Sequence, residues 1–228
     1  MADAGTIADR VNELHADMAG HVPDEVLAIN ARDRAELATS GTPDSAAIAG
    51  SVLADADLLD VNGASTTLYA ATGEAPAVVV FYRGAWCPYC NVALRTYQEQ
   101  LLPELTRRGF AMIAVSPQTP DGSLSMQEKN ELTFTVVSDP GNTLARELGI
   151  LTAPSDKVKA VQLKLGLDIT KANADGTAAL PMPATLILDA THVVRWIDVH
   201  PDYSTRSEPA QILAAIQDAG LEAVSPQS

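Results

Sequence analysis

Residues 78–91 read VVVFYRGAWCPYCN, an apolar run that passes through a short glycine-containing stretch into two cysteines. The run Val78–Phe81 is apolar at every position, which is typical of a strand buried on both faces. From Asn91 to Tyr97 the apolar residues recur at helical spacing instead. The stretch therefore predicts a strand, a turn and a helix, with Cys87 and Cys90 at the start of the helix.

This position has consequences for the two thiols, which are the only cysteines of the 228-residue chain. Backbone N–H groups at a helix start stabilise a thiolate, the reactive form of cysteine. Because Cys87 is nearest the start, we predict that it is the attacking thiol. Two thiols at this spacing can also close a small ring, so we predict a reversible Cys87–Cys90 disulfide.

Three interpretations of the pair are open. The cysteines can be ordinary core residues, half of a four-ligand zinc site, or a redox pair. Zinc needs two further ligands, and the four histidines are scattered along the chain, at His15, His21, His192 and His200. A pair of this spacing beside strands and helices in alternation favours redox chemistry. No metal or organic cofactor is therefore expected.

Composition narrows the class of protein. The formal net charge is −14, from 15 basic and 29 acidic side chains, which argues against a nucleic-acid or anionic-membrane surface. Two cysteines do not form the framework of a disulfide-rich secreted protein, and neither a secretory signal nor a membrane span is visible. We therefore expect a cytoplasmic protein.

The chain divides into two parts by pattern. Residues 1–42 predict two helices without recognisable chemistry, an extension that packs on the main domain or on a partner subunit. Residues 43–228 alternate strands and helices and end in an antiparallel strand pair and a closing helix, and Pro103 is expected to break the helix after the cysteines. This order predicts an α/β fold, a thioredoxin-like mixed sheet with helices on both faces.

Three residues near the pair are candidates for supporting roles. The cation of Arg83 could stabilise a thiolate or a peroxide oxygen, or belong to an ordinary surface arginine. Trp86 could form part of a docking surface or pack in the core. In this architecture a cis-proline can face the cysteines, so we predict a cis Met182–Pro183 bond, although a simple turn is the alternative.

Residues 81–91 resemble the signature of the peroxiredoxin-like branch of the alkyl hydroperoxide reductase/thiol-specific antioxidant family, as do residues 116–119, 138–142, 180–185 and 202–209. The resemblance implies a thiol peroxidase reduced by an external thiol system such as a thioredoxin-type protein, and it allows a homodimer. It also implies that Tyr203 and Arg206 lie on a loop that contributes to the site or its assembly.

The match departs from the main peroxiredoxins in an informative way. In the main peroxiredoxins, a proline and a threonine precede the peroxidatic cysteine at fixed spacing. In this chain Arg83 stands at the proline position, Cys87 at the threonine position and Cys90 at the position of the peroxidatic cysteine. This alignment implies that Cys90 is the attacking thiol. Pro183 falls where those enzymes often carry an arginine. Two other functions stay open: a dithiol–disulfide oxidoreductase acting on protein or small-molecule disulfides, and a redox-sensing interaction protein without turnover.

Overall fold

The apolar run forms the centre of the fold in the computed structural model, which describes residues 5–221. Strand β3 (Ala77–Phe81) is buried along its whole length. It pairs in parallel with β4 (Ala111–Ser116) and antiparallel with β8 (Ala184–Leu188), which is also fully buried. Burying one such valine or leucine side chain stabilises a fold by about 1.5–3 kcal/mol, so this strand accounts for much of the core.

Within residues 5–221, seven strands make up the main sheet. The remaining four are β1 (Asp57–Asp60), β2 (Ser65–Thr67), β5 (Thr135–Ser138) and β9 (Val194–Val199). The order across the sheet is β2-β1-β5-β4-β3-β8-β9, in which β3, β4 and β5 are parallel and the other pairings antiparallel. Strands β6 (Leu151–Thr152) and β7 (Leu180–Pro181) form a separate antiparallel pair. The predicted mixed sheet is confirmed.

Helices cover both faces of this sheet. Their bounds are α1 (Ile7–His21), α2 (Asp24–Ser40), α3 (Leu68–Thr72), α4 (Pro88–Thr96), α5 (Leu102–Arg107), α6 (Pro120–Lys129), α7 (Thr143–Glu147), α8 (Asp156–Lys164), α9 (Ile169–Ala172) and α10 (Pro209–Asp218). One apolar core includes Ile7 of α1, Leu94 of α4 and Ile216 of α10. The core on the other face includes Leu68 of α3 and Leu144 of α7. The predicted helices on both faces are therefore present.

The helix after the cysteines becomes irregular one turn before Pro103, the residue that was expected to break it. Residues Tyr97–Leu101 form a π-helical turn between α4 and α5, and Pro103 lies in the first turn of α5. A proline has no N–H and its ring crowds the carbonyl four residues before it, so the wider turn accommodates it without ending the helix. The hydroxyl of Tyr97 in this turn donates to the carbonyl of Ser207, 2.7 Å away.

The two predicted N-terminal helices are present and pack on the rest of this chain. Helix α1 begins with a capping box at Thr6, and its backbone N–H groups at Ile7 and Ala8 donate to the carboxylate of Glu208, each at 2.9 Å. The division of the chain at residue 42 stays a prediction. No helix between residues 5 and 221 is long and apolar enough to cross a membrane. The frayed tail predicted after Leu221 lies outside the described residues.

Candidate active site

The two cysteines occupy the first turn of α4, where the strand–turn–helix pattern places them. Cys87 is the residue before the helix, in extended conformation, and Pro88 is the first helical residue. The backbone N–H of Cys90 donates to the carbonyl of Cys87 at 3.1 Å, which closes the turn. Both thiols are free and buried, with exposed fractions of 1% for Cys87 and 0% for Cys90.

Cys90 receives a hydrogen bond from a buried guanidinium. Nη2 of Arg206 lies 3.0 Å from Sγ of Cys90, while Nη1 donates to the carbonyl of Tyr203 at 2.8 Å. Arg206 lies in the loop between β9 and α10 and is only 7% exposed. The second hydrogen bond fixes the direction of the guanidinium, so its charge is aimed at the sulfur.

The environments of the two sulfurs shift their pKa values in opposite directions. Burial raises the pKa of Cys90, but the hydrogen bond from Cys87, the charge of Arg206 and the backbone N–H and charge of Arg83 outweigh it and lower the pKa to about 5. Burial raises the pKa of Cys87 well above its ordinary value, and the neighbouring Cys90 raises it further. The opposite shifts favour a thiolate on Cys90 beside a protonated Cys87.

These pKa shifts favour Cys90 as the attacking thiol, whereas the helix start by itself favours Cys87. The field of the backbone N–H groups acts on Cys87, but it does not offset the burial of that sulfur. Cys90 has the same burial together with a guanidinium in direct contact. The helix-start argument for Cys87 did not include Arg206, which is more than a hundred residues away along the chain and which the resemblance placed at the site without assigning it to either thiol.

Arg83 is buried between two aromatic rings. Its guanidinium carbon lies 3.9 Å from the ring centroid of Tyr203 and 5.2 Å from that of Trp86. Its charge lowers the pKa of both cysteines, and its backbone N–H further lowers the pKa of Cys90. A proline at this position, as in the main peroxiredoxin pattern, could not make that backbone contact. The predicted surface-arginine alternative is wrong, because only 5% of Arg83 is exposed.

The turn before the cysteines depends on Gly84. Its φ of +153° is one that residues with a side chain rarely adopt, and an added Cβ would overlap the indole nitrogen of Trp86. Trp86 is half-buried and packs against the apolar core, and its part in a docking surface stays a prediction. The next residue, Ala85, donates its backbone N–H to Oε1 of Gln118 at 2.6 Å. Gln118 belongs to the sequence block 116–119, yet its role was not predicted.

Asn91 is a second residue that sequence analysis missed. Its side-chain amide donates to the carbonyls of Ala85 and Cys87, both at 2.8 Å. Its amide oxygen in turn accepts from Asn130 at 2.9 Å. The carbonyls on either side of Trp86 are thereby tied to the start of α4. Adjacency to Cys90 was the only signal for this residue in the sequence.

The loop that carries Arg206 is held from three sides. Tyr97 binds the Ser207 carbonyl, and the Ser207 hydroxyl donates to Asp198 at 2.9 Å. His200 contacts Asp198 and Thr205 through its two ring nitrogens, at 3.0 and 2.8 Å. Arg206 therefore reaches Cys90 from a fixed backbone, and the placement of Tyr203 and Arg206 at the cysteines agrees with what the resemblance implies.

The N-terminal helices reach the site through Tyr89, the residue between Pro88 and Cys90. The Tyr89 hydroxyl accepts a hydrogen bond from Nη1 of Arg34 at 2.9 Å and pairs with Nε2 of His15 at 3.0 Å. Arg34 also contacts Asp202 at 3.8 Å. These contacts were not predicted, because nothing in the pattern of the two helices marks Arg34 or His15 as different from other surface residues.

The predicted cis Met182–Pro183 bond is wrong. No peptide bond within residues 5–221 is cis. Pro183 directly precedes the buried strand β8 and is joined to Met182 by an ordinary trans bond, and its carbonyl accepts from the backbone N–H of His200 at 2.8 Å. Pro183 still borders the site, since it lines a small cavity together with Arg83 and Tyr203. Within the same residues, no cluster of three or more His, Cys, Asp or Glu side chains could hold a metal ion.

Comparison with known protein families assigns this chain to one of them. The model of the family described as AhpC/TSA matches residues 49–197, which is more than half of the chain and includes both cysteines. The chain belongs to the AhpC/TSA family. The resemblance drawn from residues 81–91 is thus confirmed. The matched range ends before Tyr203 and Arg206 and begins after α2, so Arg206, Arg34 and His15 all lie outside it.

Individual relatives agree with this assignment. Peroxiredoxin Q, chloroplastic, from Gentiana triflora is 29% identical over 101 residues, which are 44% of this chain and 46% of the relative; the match thus spans about half of that protein's length. The solved peroxidoxin BcpB from Mycobacterium tuberculosis superposes with a TM-score of 0.57 at 17% identity, covering 75% of this chain and 96% of the other. Reduced Prx3 from Vibrio vulnificus, solved in complex with H2O2, gives a TM-score of 0.58 at 19% identity, covering 75% and 99%. The two structures support the thioredoxin-like fold.

Proposed function

We propose that this AhpC/TSA family member is a thiol-dependent peroxidase in which Cys90 attacks the peroxide and Cys87 resolves the product. The observation that carries the proposal is the 3.0 Å hydrogen bond from Nη2 of Arg206 to Sγ of Cys90. It supports a thiolate at neutral pH, and the thiolate is the nucleophile in thiol chemistry. The family assignment supports peroxide as the oxidant.

The first step is a displacement at oxygen. The Cys90 sulfur forms a bond to one peroxide oxygen, the O–O bond breaks, and the thiolate is oxidised to a sulfenic acid. The leaving hydroxide or alkoxide takes up a proton. The neighbouring Cys87 thiol, which lowers the pKa of Cys90, is placed to supply it. The charges of Arg206 and Arg83 stabilise the negative charge that develops on the leaving oxygen.

The second step is condensation within one turn of helix. The Cys87 sulfur, now a thiolate, attacks the sulfur of the Cys90 sulfenic acid and forms the Cys87–Cys90 disulfide, while hydroxide leaves and takes a proton from solvent. An external dithiol then reduces the disulfide by exchange and is itself oxidised. A thioredoxin-type protein is the reductant that the family suggests, and the homodimer and cytoplasmic location stay predictions.

Peroxide turnover tests the proposal against the two other functions. The wild type is mixed with hydrogen peroxide in a stopped-flow instrument and monitored by tryptophan fluorescence, and turnover is measured with dithiothreitol. Cys87→Ser and Cys90→Ser serve as matched variants, and insulin reduction is assayed in parallel. We expect rapid oxidation and sustained peroxide consumption. Insulin reduction without peroxide turnover would instead identify a disulfide oxidoreductase, and oxidation without any turnover would identify a redox sensor.

A further inference from the structure

The side chain of Asn91 binds the backbone of the turn that carries Cys87. Its amide nitrogen donates to the carbonyls of Ala85 and Cys87, both at 2.8 Å, and its amide oxygen accepts from the side chain of Asn130 at 2.9 Å. Because a carbonyl can only accept, the nitrogen must face Ala85 and Cys87, which leaves the oxygen for Asn130. The orientation of the Asn91 amide is therefore fixed by its partners.

Asn130 is itself held where α6 ends. It is 3% exposed, and its amide nitrogen also donates to the carbonyl of Met126 at 3.1 Å and contacts the Met126 sulfur at 3.0 Å. Displacing a buried amide of this kind is costly, because the groups that it releases lose their hydrogen bonds away from water. The contacts from Met126 through Asn130 and Asn91 therefore tie the start of α4 to a separate helix.

The backbone of Cys87 has partners on both sides. Its N–H donates to the carbonyl of Gly84 at 3.0 Å, and its carbonyl also accepts from the backbone N–H groups of Cys90 and Asn91, at 3.1 and 3.2 Å. A turn closed by a hydrogen bond from residue i+3 to residue i keeps its outer Cα atoms within about 7 Å, and a disulfide needs about 4.4–6.8 Å. The folded turn is therefore close to the spacing that the Cys87–Cys90 disulfide requires.

The sulfenic acid formed on Cys90 has two competing fates. In the first, the Cys87 sulfur attacks it and closes the disulfide. In the second, the sulfenate sulfur bonds to an oxygen of another hydrogen peroxide molecule and the O–O bond breaks; the leaving hydroxide takes a proton from the new sulfinic acid and becomes water. Only the first fate takes place within the folded chain, so only its rate depends on how well the two sulfurs are held together.

We propose that Asn91, anchored by Asn130, is a positioning residue that holds Cys87 ready for condensation and thereby protects Cys90 from overoxidation to the sulfinic acid. The inference rests on the proposed function and adds a feature that determines how the site withstands high peroxide. The hydrogen bonds of Asn91 go to backbone carbonyls and to Asn130, so this side chain acts through the backbone of Cys87. A shift of about 1 Å between reacting groups can slow a reaction about a hundredfold.

Oxidation of Asn91→Ala at rising hydrogen peroxide concentrations tests this role. Reduced protein is mixed with peroxide in a stopped-flow instrument, and the disulfide and sulfinic acid products are quantified by intact-protein mass spectrometry. We expect the rate of disulfide formation to fall about tenfold, less than the full effect of a 1 Å shift because the backbone hydrogen bonds of Cys87 remain. The peroxide concentration at which half of the protein ends as sulfinic acid should fall by the same factor, and the first oxidation should slow by less.

A conservative variant and two references complete the design. Asn91→Ser, whose hydroxyl can still donate to the carbonyl four residues before it, should lie between the wild type and Asn91→Ala. Asn62→Ala, at an exposed asparagine in the turn between β1 and β2, should form disulfide and sulfinic acid in the wild-type proportion. Cys87→Ser, which has no resolving thiol, should form sulfinic acid at the lowest peroxide concentration.

The possible results separate the positioning role from the proposed function. A folded Asn91→Ala with the wild-type proportion of sulfinic acid would overturn the positioning role and leave the peroxidase function intact; Asn91→Ser gives the same comparison if Asn91→Ala does not fold. Equal slowing of both steps would overturn the role too, since it would show a general loss of structure. A Cys87→Ser variant that fails to oxidise would refute Cys90 as the attacking thiol, and a wild type inert to peroxide would remove the proposed function and the positioning role together.

Discussion

Replacing Arg206 by methionine removes the guanidinium from Cys90 while keeping a long side chain of similar shape. A hydrogen bond to a charged group contributes about 1.5–3 kcal/mol, and one pKa unit corresponds to about 1.36 kcal/mol. The loss should therefore raise the Cys90 pKa by about one to two units from its value of about 5. The other contributions, from Cys87 and Arg83, remain in place.

Thiolate absorbance at 240 nm between pH 4 and 9 measures this shift directly. Arg206→Lys, which keeps the charge but loses the planar fork, should shift the pKa less. Arg195→Met is the matched control, because Arg195 is exposed and pairs with Asp189 rather than with a cysteine. Circular dichroism establishes that each variant is folded.

The same variant separates thiol activation from transition-state stabilisation. At pH 8.5 Cys90 should be ionised in both proteins, so a difference in peroxide rate then reports on the charge that develops on the leaving oxygen. We expect Arg206→Met to be slower by about tenfold or more at this pH. A folded Arg206→Met with an unchanged Cys90 pKa and an unchanged rate would refute the assignment of Arg206.

Three further outcomes are expected. Because the Cys90 pKa is lower in the folded chain than in the unfolded one, the thiolate stabilises the fold; this contribution is complete above pH 9 and is lost as the pH falls through about 5. Urea titrations of the reduced wild type should therefore show stability falling from pH 8.5 to pH 5 relative to Cys90→Ser, and parallel pH profiles would contradict the shift. Arg34→Met loses the hydrogen bond to the Tyr89 hydroxyl. Because the contacts that cover the buried thiols then weaken by about 1 kcal/mol, iodoacetamide alkylation of these thiols should become about fivefold faster. Equal alkylation rates in the two proteins would argue against this covering role. Gly84→Ala should lower the free energy of unfolding by more than about 1 kcal/mol, because its φ is +153° and the new methyl group would meet the neighbouring indole; Gly20→Ala, in open space on a helix, should be neutral or stabilising, and similar values for the two would count against the strain.

Local patterns predicted the framework of the site. The apolar run Val78–Phe81 could be recognised as a buried strand because every position is apolar, and the two cysteines follow it at a fixed distance along the chain. The long motif around them also sufficed to identify the family. Their burial, by contrast, depends on α1, α2 and the 200–208 loop packing over them, which no local pattern encodes.

Long-range contacts account for what the local patterns missed. Cys87 was predicted to attack because it lies at the helix start and borders Trp86 and Arg83. That assignment stays a prediction, while Arg206, which reaches Cys90 from a loop fixed by Tyr97 and His200, favours Cys90 instead. The cis bond at Pro183 was inferred from the fold class, although the strand that it enters accepts a trans proline.

Trapping the sulfenic acid tests most directly which sulfur attacks the peroxide. Each single variant is treated with a small excess of hydrogen peroxide in the presence of dimedone, and the adduct is located and timed by mass spectrometry. Cys87→Ser should form the adduct on Cys90 at close to the wild-type oxidation rate, since its thiolate keeps the contact with Arg206, and it should form no intramolecular disulfide.

Cys90→Ser should react at least about a hundredfold more slowly, because burial raises the pKa of the remaining Cys87 thiol. A Cys87 adduct that forms in Cys90→Ser at the wild-type rate, together with an unreactive Cys90 in Cys87→Ser, would contradict the account.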